Sequence, residues 1–131
     1  MRNGLRALGL AAVLATAACS HAGPRPGAAE DRGEVRGQVG LASYYARSLH
    51  GRLTASGERY DRGAMTCAHR TLPFGTLLRV TDVDSGRSVV VKVTDRGPFT
   101  EGRLLDLSWA AARALGMVER GVARVRVELA R

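Results

Sequence analysis

At 131 residues the chain has room for one domain, and its net charge of +8 is carried almost wholly by arginine, with Lys92 as the sole lysine. Phe, Trp and Tyr make up only 5% of the residues, and no basic stretch is interleaved with aromatics, which argues against a stacking platform for nucleic acid. An arginine excess also follows from genomic base composition, so the charge alone names no acidic partner.

The N-terminus has the layout of an export signal: Arg2 and Arg6, then an apolar run from Leu8 to Ala15, then Thr16-Ala17-Ala18 before Cys19. The run is too short to stay in a bilayer as a spanning helix. A cysteine directly after small residues reads as a lipobox, although Thr16 stands where leucine is usual. Residues 1–18 are therefore expected to be a lipoprotein signal and Cys19 the lipidated first residue of the mature chain, anchored to a membrane. The alternative is ordinary cleavage near Ala18, releasing a soluble protein. Residues 19–37 are rich in Gly, Pro, Ala and charge, the composition of a flexible tether. Of the two cysteines, Cys67 is expected to be a small buried apolar residue. A Cys19–Cys67 bridge would tie a tail to the domain for little gain. Cys67-Ala68-His69 lacks a second ligand pair at zinc-like spacing, so no metal is expected.

The domain, residues 38–131, reads as mainly β. Val39, Leu41, Ser43 and Tyr45 alternate with Gly40, Ala42 and Tyr44, a strand pattern. His50 to Tyr60 is polar and reads as a long loop. Thr76–Val83 and Ser88–Val93 are two strands joined by the turn Asp84-Ser85-Gly86-Arg87. In the second, Val89, Val91 and Val93 face one way and Ser88 and Lys92 the other. Leu104, Leu105 and Leu107 form a short strand, and the last runs from Val122 to Leu129, with Val125, Val127 and Leu129 opposite Arg124, Arg126 and Glu128. One helix is expected over Trp109–Leu115, capped by Ser108 and stopped by Gly116. Trp109, Ala112 and Leu115 share its expected core face. These elements imply a compact β-barrel with a helix packed across it.

Ala42-Ser43-Tyr44-Tyr45, His50-Gly51-Arg52, Thr54 to Glu58, Tyr60-Asp61, Thr66 to Thr76, Asp95 to Phe99, Gly102-Arg103 and Asp106-Leu107-Ser108 together resemble the rare lipoprotein A family, in the right order and over nearly all of the domain. The resemblance implies a small six-stranded double-psi β-barrel with one or two short helices. It implies a lytic transglycosylase that cleaves the β-1,4 bond between N-acetylmuramic acid and N-acetylglucosamine in peptidoglycan glycan strands lacking stem peptides. The sugar's own 6-hydroxyl attacks the anomeric carbon, leaving a 1,6-anhydro end, and no cofactor is needed. The expected setting is the cell envelope, facing the periplasm or exterior, with glycan strands and the membrane as partners, no nucleic acid, and a monomer. Many family members carry a C-terminal sporulation-related repeat domain; the sequence ends at Arg131 after its last expected strand, so a form without that domain is expected.

Asp95 is the first catalytic candidate because the family's important acid falls there; without the resemblance, a carboxylate accepting turn amides would be the better reading. Glu58 matches the second functional acid, against the default of a solvated loop carboxylate. His69 corresponds to a groove histidine that orients a carboxylate or binds sugar hydroxyls. Asp61 is a weaker candidate. Asp106 sits before the helix, where a carboxylate suits helix-end amides, so a structural role leads; related barrels, plant expansins among them, place an Asp of this motif in the groove. Tyr45 is a sugar-stacking candidate, divided evenly between groove and core, and Arg96 could meet acidic groups on the glycan. A binding module of expansin type that grips glycan without cutting it is the competing function, and a structural lipoprotein docking an envelope partner is a third.

Overall fold

A computed structural model describes residues 37–130. The expected signal, the lipidated Cys19 and nearly all of the tether lie outside the described residues. The elements in chain order are β1 (Gln38–Tyr44), a 3-10 turn (Arg47–Leu49), β2 (Thr66–Ala68), β3 (Leu77–Asp82), β4 (Ser88–Asp95), β5 (Arg103–Leu107), α1 (Trp109–Leu115) and β6 (Ala123–Leu129). The six strands close into a barrel in the order β1-β5-β2-β4-β3-β6. Pairs β1/β5 and β2/β4 are parallel and the remaining four antiparallel. Closure leaves no free strand edge, and the architecture is the double-psi β-barrel that the sequence motifs imply.

Alternation drives the wall. Val89, Val91 and Val93 of β4 and Val125 and Val127 of β6 point inward, with Leu78, Val80, Leu105 and Leu107 completing the centre. Arg124 and Arg126 stand outside, as expected. In β1 the small face turns inward: Ala42 is buried, whereas Val39 and Leu41 are exposed. The reason lies across the sheet. β5 carries one extra residue at the register shift between Leu41 and Ala42, and a Cβ on Gly40 would lie 2.5 Å from Leu104 Cγ. Gly40 thus leaves the space that Leu104, the bulged residue, fills.

The β3–β4 hairpin turns at Gly86, whose φ of 76° requires glycine. Asp82, fully buried at the end of β3, accepts from the amides of Asp84 and Ser85 and from Arg120. Burial pushes its carboxyl up, but Arg120 and the two amides outweigh burial and hold it below the usual carboxylate range. Helix α1 starts at Ser108, whose side chain accepts from the Ala111 amide, and ends at left-handed Gly116. Its buried residues are Ala111, Ala112 and Leu115. Trp109 departs from expectation: it is only half-buried, with the guanidinium groups of Arg47 and Arg113 over its ring at 5.4 and 5.2 Å. Two guanidinium groups lie over the indole where the core was expected.

Three further departures position the site. The three-residue strand β2, which has no alternation long enough to read, lies between β4 and β5. Strand β4 runs to Asp95, two residues beyond the expected end at Val93. The polar segment 50–60 is no open loop: Leu53 bridges to Arg59, and the Thr54 amide donates to Glu58 O at 2.8 Å, forming a tight hairpin.

Candidate active site

Asp95 is the last residue of β4, locked in place by its backbone. Its carbonyl accepts from the His69 amide at 3.1 Å, and Ala68 of β2 pairs with it across the sheet. The side chain has three donors. Tyr45 Oη donates to Oδ2 at 2.6 Å, while the amides of Ala55 and Arg96 donate to Oδ1 at 2.8 and 2.9 Å. Ala55 is the tip of the 53–59 hairpin, and the next amide, Ser56 N, donates to Thr94 O at 3.2 Å. The hairpin therefore docks on the end of β4 and holds the carboxylate. Because all three partners donate, the acid here acts purely as an acceptor.

Tyr45 lies just beyond β1 and reaches across to Asp95. Its ring meets Tyr60 edge-on, with centroids 4.7 Å apart and planes at 82°. Burial raises its pKa well above the ordinary phenol value, reinforced by the hydrogen bond to Asp95 and the charges of Asp95 and Asp106. Tyr45 is a protonated donor at any physiological pH. Tyr60 is buried, and its hydroxyl accepts the Trp109 amide at 3.0 Å, tying the site to the first turn of α1. Tyr45, Leu49, Arg52, Leu53, Thr54, Tyr60 and Asp95 line a depression of about 180 Å³.

A second depression, of about 270 Å³, opens on the other side of the hairpin tip, lined by Ser56, Glu58, Phe74, Gly75, Lys92, Val93 and Thr94. Thr54 and Ser56, hydrogen-bonded to each other at 2.9 Å, each line one depression, as do the neighbours Asp95 and Thr94. Glu58 is exposed, with Lys92 Nζ 3.3 Å from its Oε1. The structure thus places the two expected acids in adjoining depressions, each with its own partner.

His69 is buried directly after β2. Its Nδ1 accepts from the amides of Thr71 and Leu72, both at 3.1 Å. Burial lowers its pKa, and the Arg96 and Arg70 guanidiniums lower it further. The ring is neutral at pH 7 with its proton on Nε2. Its fixed link to Asp95 is the backbone hydrogen bond. Arg96 points away from its carboxylate neighbour: Nη1 donates to Leu72 O at 2.8 Å and His69 O at 3.3 Å, and the guanidinium stacks on Phe74 at 4.0 Å. Asp61 is exposed and accepts the Gly63 amide at 2.8 Å, a local turn outside both depressions.

Asp106 departs from the helix-end role. The first amides of α1 are taken by Tyr60 Oη, Arg62 O and Ser108 Oγ. Asp106 instead accepts from the Ser43 hydroxyl, on the face opposite the buried Leu105 and Leu107. It and Asp95 flank Ala68 on either side of β2. Cys67 is free and buried; burial, with the Asp106 charge, pushes its thiol up to about 12. It is an inert core residue. Among the described residues no three His, Cys, Asp or Glu side chains are grouped to hold a metal.

Tyr60, Phe74 and Lys92 were not singled out as site residues from the sequence. Tyr60 could have been found from its motif beside Asp61, and Lys92 from its singularity among arginines. Phe74 lies within the Thr66–Thr76 motif, but only the barrel brings it into the depression with Glu58.

The structure is thus a closed double-psi barrel whose strand-end carboxylate is held by a tyrosine and a hairpin tip beside a surface depression. The lytic transglycolase family profile matches residues 37–127, and the chain belongs to that family. It is 60% identical over 92 residues to a probable endolytic peptidoglycan transglycosylase RlpA of Nostoc sp., covering 69% of this chain and 25% of that protein. It is 56% identical over 90 residues to the endolytic peptidoglycan transglycosylase RlpA of Pseudomonas aeruginosa, covering 69% of this chain and 26% of that protein. The chain thus spans about a quarter of the length of these curated relatives. Among solved structures it is similar to apo Clavibacter michiganensis expansin, with a TM-score of 0.56 and 30% identity over 71% of this chain and 50% of that one. A Streptomyces papain inhibitor also matches, with a TM-score of 0.56 and 26% identity over 73% of this chain and 97% of that one.

Proposed function

We propose that the protein is a peptidoglycan lytic transglycosylase acting on glycan strands in the cell envelope. The single observation that carries this is the Asp95 carboxylate, held in a surface depression by Tyr45 and the hairpin tip, in a chain of the lytic transglycolase family. In the reaction the glycosidic C1–O4 bond breaks and a C1–O6 bond forms within the same muramyl sugar. The 6-hydroxyl proton ends on the leaving oxygen, and no water is consumed. One carboxyl group suffices: it gives a proton to the leaving oxygen and takes one from the 6-hydroxyl. Asp95, at the end of β4 and lining the depression, is placed for that role. Tyr45 positions it, and the Glu58 carboxylate across the hairpin tip stabilises the positive charge developing at the anomeric carbon. His69 positions the strand end through its backbone, and Arg96 supports the 69–74 loop.

The N-terminal pattern supports export by a lipoprotein signal, lipidation at Cys19 and a tether over residues 19–37, which would keep the barrel beside its polymer. Acyl labelling of the wild type that is absent from Cys19→Ser tests this; an unlabelled wild type rules the anchor out.

Digestion of purified glycan strands, with and without stem peptides, followed by mass analysis for 1,6-anhydro ends tests the activity. Wild type should release them, and Asp95→Asn should lose at least about a hundredfold in rate, the usual contribution of a general acid–base group. Glycan binding without product from the wild type would instead assign the expansin-type binding function.

A further inference from the structure

We infer that Lys92, in the depression it shares with Glu58 and Phe74, is a carboxylate-binding subsite that reads the free lactyl carboxylate of a muramic acid residue. The inference rests on the proposed glycan substrate and names what distinguishes one sugar of that strand from the other. N-acetylglucosamine is neutral, whereas muramic acid carries a 3-O-lactyl group, anionic when free and neutral when amide-linked.

The geometry has three parts. The first is the ammonium itself. Lys92 projects from the outer face of β4 between the inward Val91 and Val93, and its side chain is 42% exposed. Among the described residues its ammonium has one polar contact, to Glu58 Oε1 at 3.3 Å. An ammonium has three donors, so two remain for a ligand. An exposed pair of this kind is weak and rearranges readily, so a second carboxylate can join without dismantling a rigid ion pair. The second part is the aromatic wall. Phe74, 42% exposed, lines the depression with the Arg96 guanidinium 4.0 Å over its ring, itself anchored to Leu72 O. A ring fixed in this way offers a preorganised apolar surface to the C–H face of a sugar. The third part is the polar rim: Ser56 at the hairpin tip and the backbone around Gly75, whose amide is committed to Val93 O at 2.8 Å.

An aromatic wall beside an accessible cation suits an acidic sugar better than a neutral one, because a carboxylate gives the remaining ammonium donors a charge-assisted acceptor. Lysine also fits this use better than arginine, since a compact ammonium can serve Glu58 and a ligand together. It is the sole lysine in a chain with 20 cationic side chains. The position further places the anionic sugar directly beside the hairpin tip that holds Asp95.

The test uses the full chain and peptide-free muramyl oligosaccharides, whose only carboxyls are lactyl, in native form and with those carboxyls converted to methylamides. Calorimetry measures the affinity of each for wild type, Lys92→Gln and Lys92→Arg, with circular dichroism checking the fold. Wild type should bind the acid about fivefold or more tighter than the amide, the upper range for an accessible ion pair, and the preference should shrink as salt rises. Lys92→Gln should bind both forms alike, and Lys92→Arg should recover part of the preference. Equal affinity of the wild type for acid and amide overturns the inference, as does a preference that survives in Lys92→Gln. A Lys92-dependent preference with no 1,6-anhydro product would leave the subsite standing and remove the lytic reading. Failure to bind either form would remove both.

Discussion

Replacing Tyr45 with Phe separates the support of the candidate acid from the packing around it. The ring stays, with its edge-on contact to Tyr60 at 4.7 Å. What disappears is the donor 2.6 Å from Asp95 Oδ2. Two donors remain, the amides of Ala55 and Arg96, and both reach Oδ1. The carboxylate therefore keeps its place but loses the contact that sets the direction of Oδ2. A hydrogen bond to a charged group contributes about 1.5–3 kcal/mol net. If that contribution acts in the transition state, the rate falls by about 10- to 100-fold, at roughly 1.4 kcal/mol per decade. Stability should fall by only about 1 kcal/mol, because Asp95 is half-exposed and water can replace the phenol. That corresponds to a melting-temperature decrease of roughly 4–8 °C for a domain of this size. The assay is the initial rate of 1,6-anhydro product formation at saturating glycan, with thermal denaturation alongside. A rate within about threefold of wild type would show that Tyr45 does not support the acid. A melting point lowered by well over 10 °C would show that Tyr45 acts mainly through packing.

Asp82→Asn should destabilise the barrel in a pH-dependent way. The folded-state pKa of Asp82 is depressed, so its charge contributes fully above the unfolded-state pKa and is lost as pH falls through the folded one. Urea denaturation should show a deficit of about 1–3 kcal/mol near pH 7, shrinking as pH falls below the ordinary aspartate value of about 3.9; a gap independent of pH would sink the ionic account. Gly40→Ala should cost about 1–3 kcal/mol by overpacking, since its Cβ would meet Leu104 Cγ at 2.5 Å. Adding Leu104→Ala should recover part of that loss, and strict additivity of the two changes would show that they do not clash.

The barrel's outer limits were readable because they rest on local rules. The valine alternation of β4 and β6, the Gly86 turn, and the Ser108 and Gly116 caps of α1 each follow from a few consecutive residues. The motifs also marked Asp95, Glu58 and His69 as residues worth following. The chain by itself thus determined a small β-barrel with one helix, and which carboxylates to examine.

Relations across the sheet could not be read in this way. β2 is three residues long, and only its two partners, β4 and β5, make it a strand. The alternation of β1 did not say which face is buried; Gly40 and the bulged Leu104 leave Val39 and Leu41 exposed and Ala42 buried. Trp109 read as core until two arginines covered it, and Asp106 read as a helix-end carboxylate until closure brought Ser43 of β1 beside β5. Asp95 itself looked like the start of a turn after a strand ending at Val93; tertiary pairing with Ala68 and His69 carries the strand through it. Tyr45 and Ala55 lie 50 and 40 residues from Asp95 in the chain, and only barrel closure sets their hydrogen bonds to its two oxygens. The residue types that can do this chemistry are a property of the sequence. Their separation into an Asp95–Tyr45 depression and a Glu58–Lys92 depression follows from long-range hydrogen bonds that no local pattern encodes.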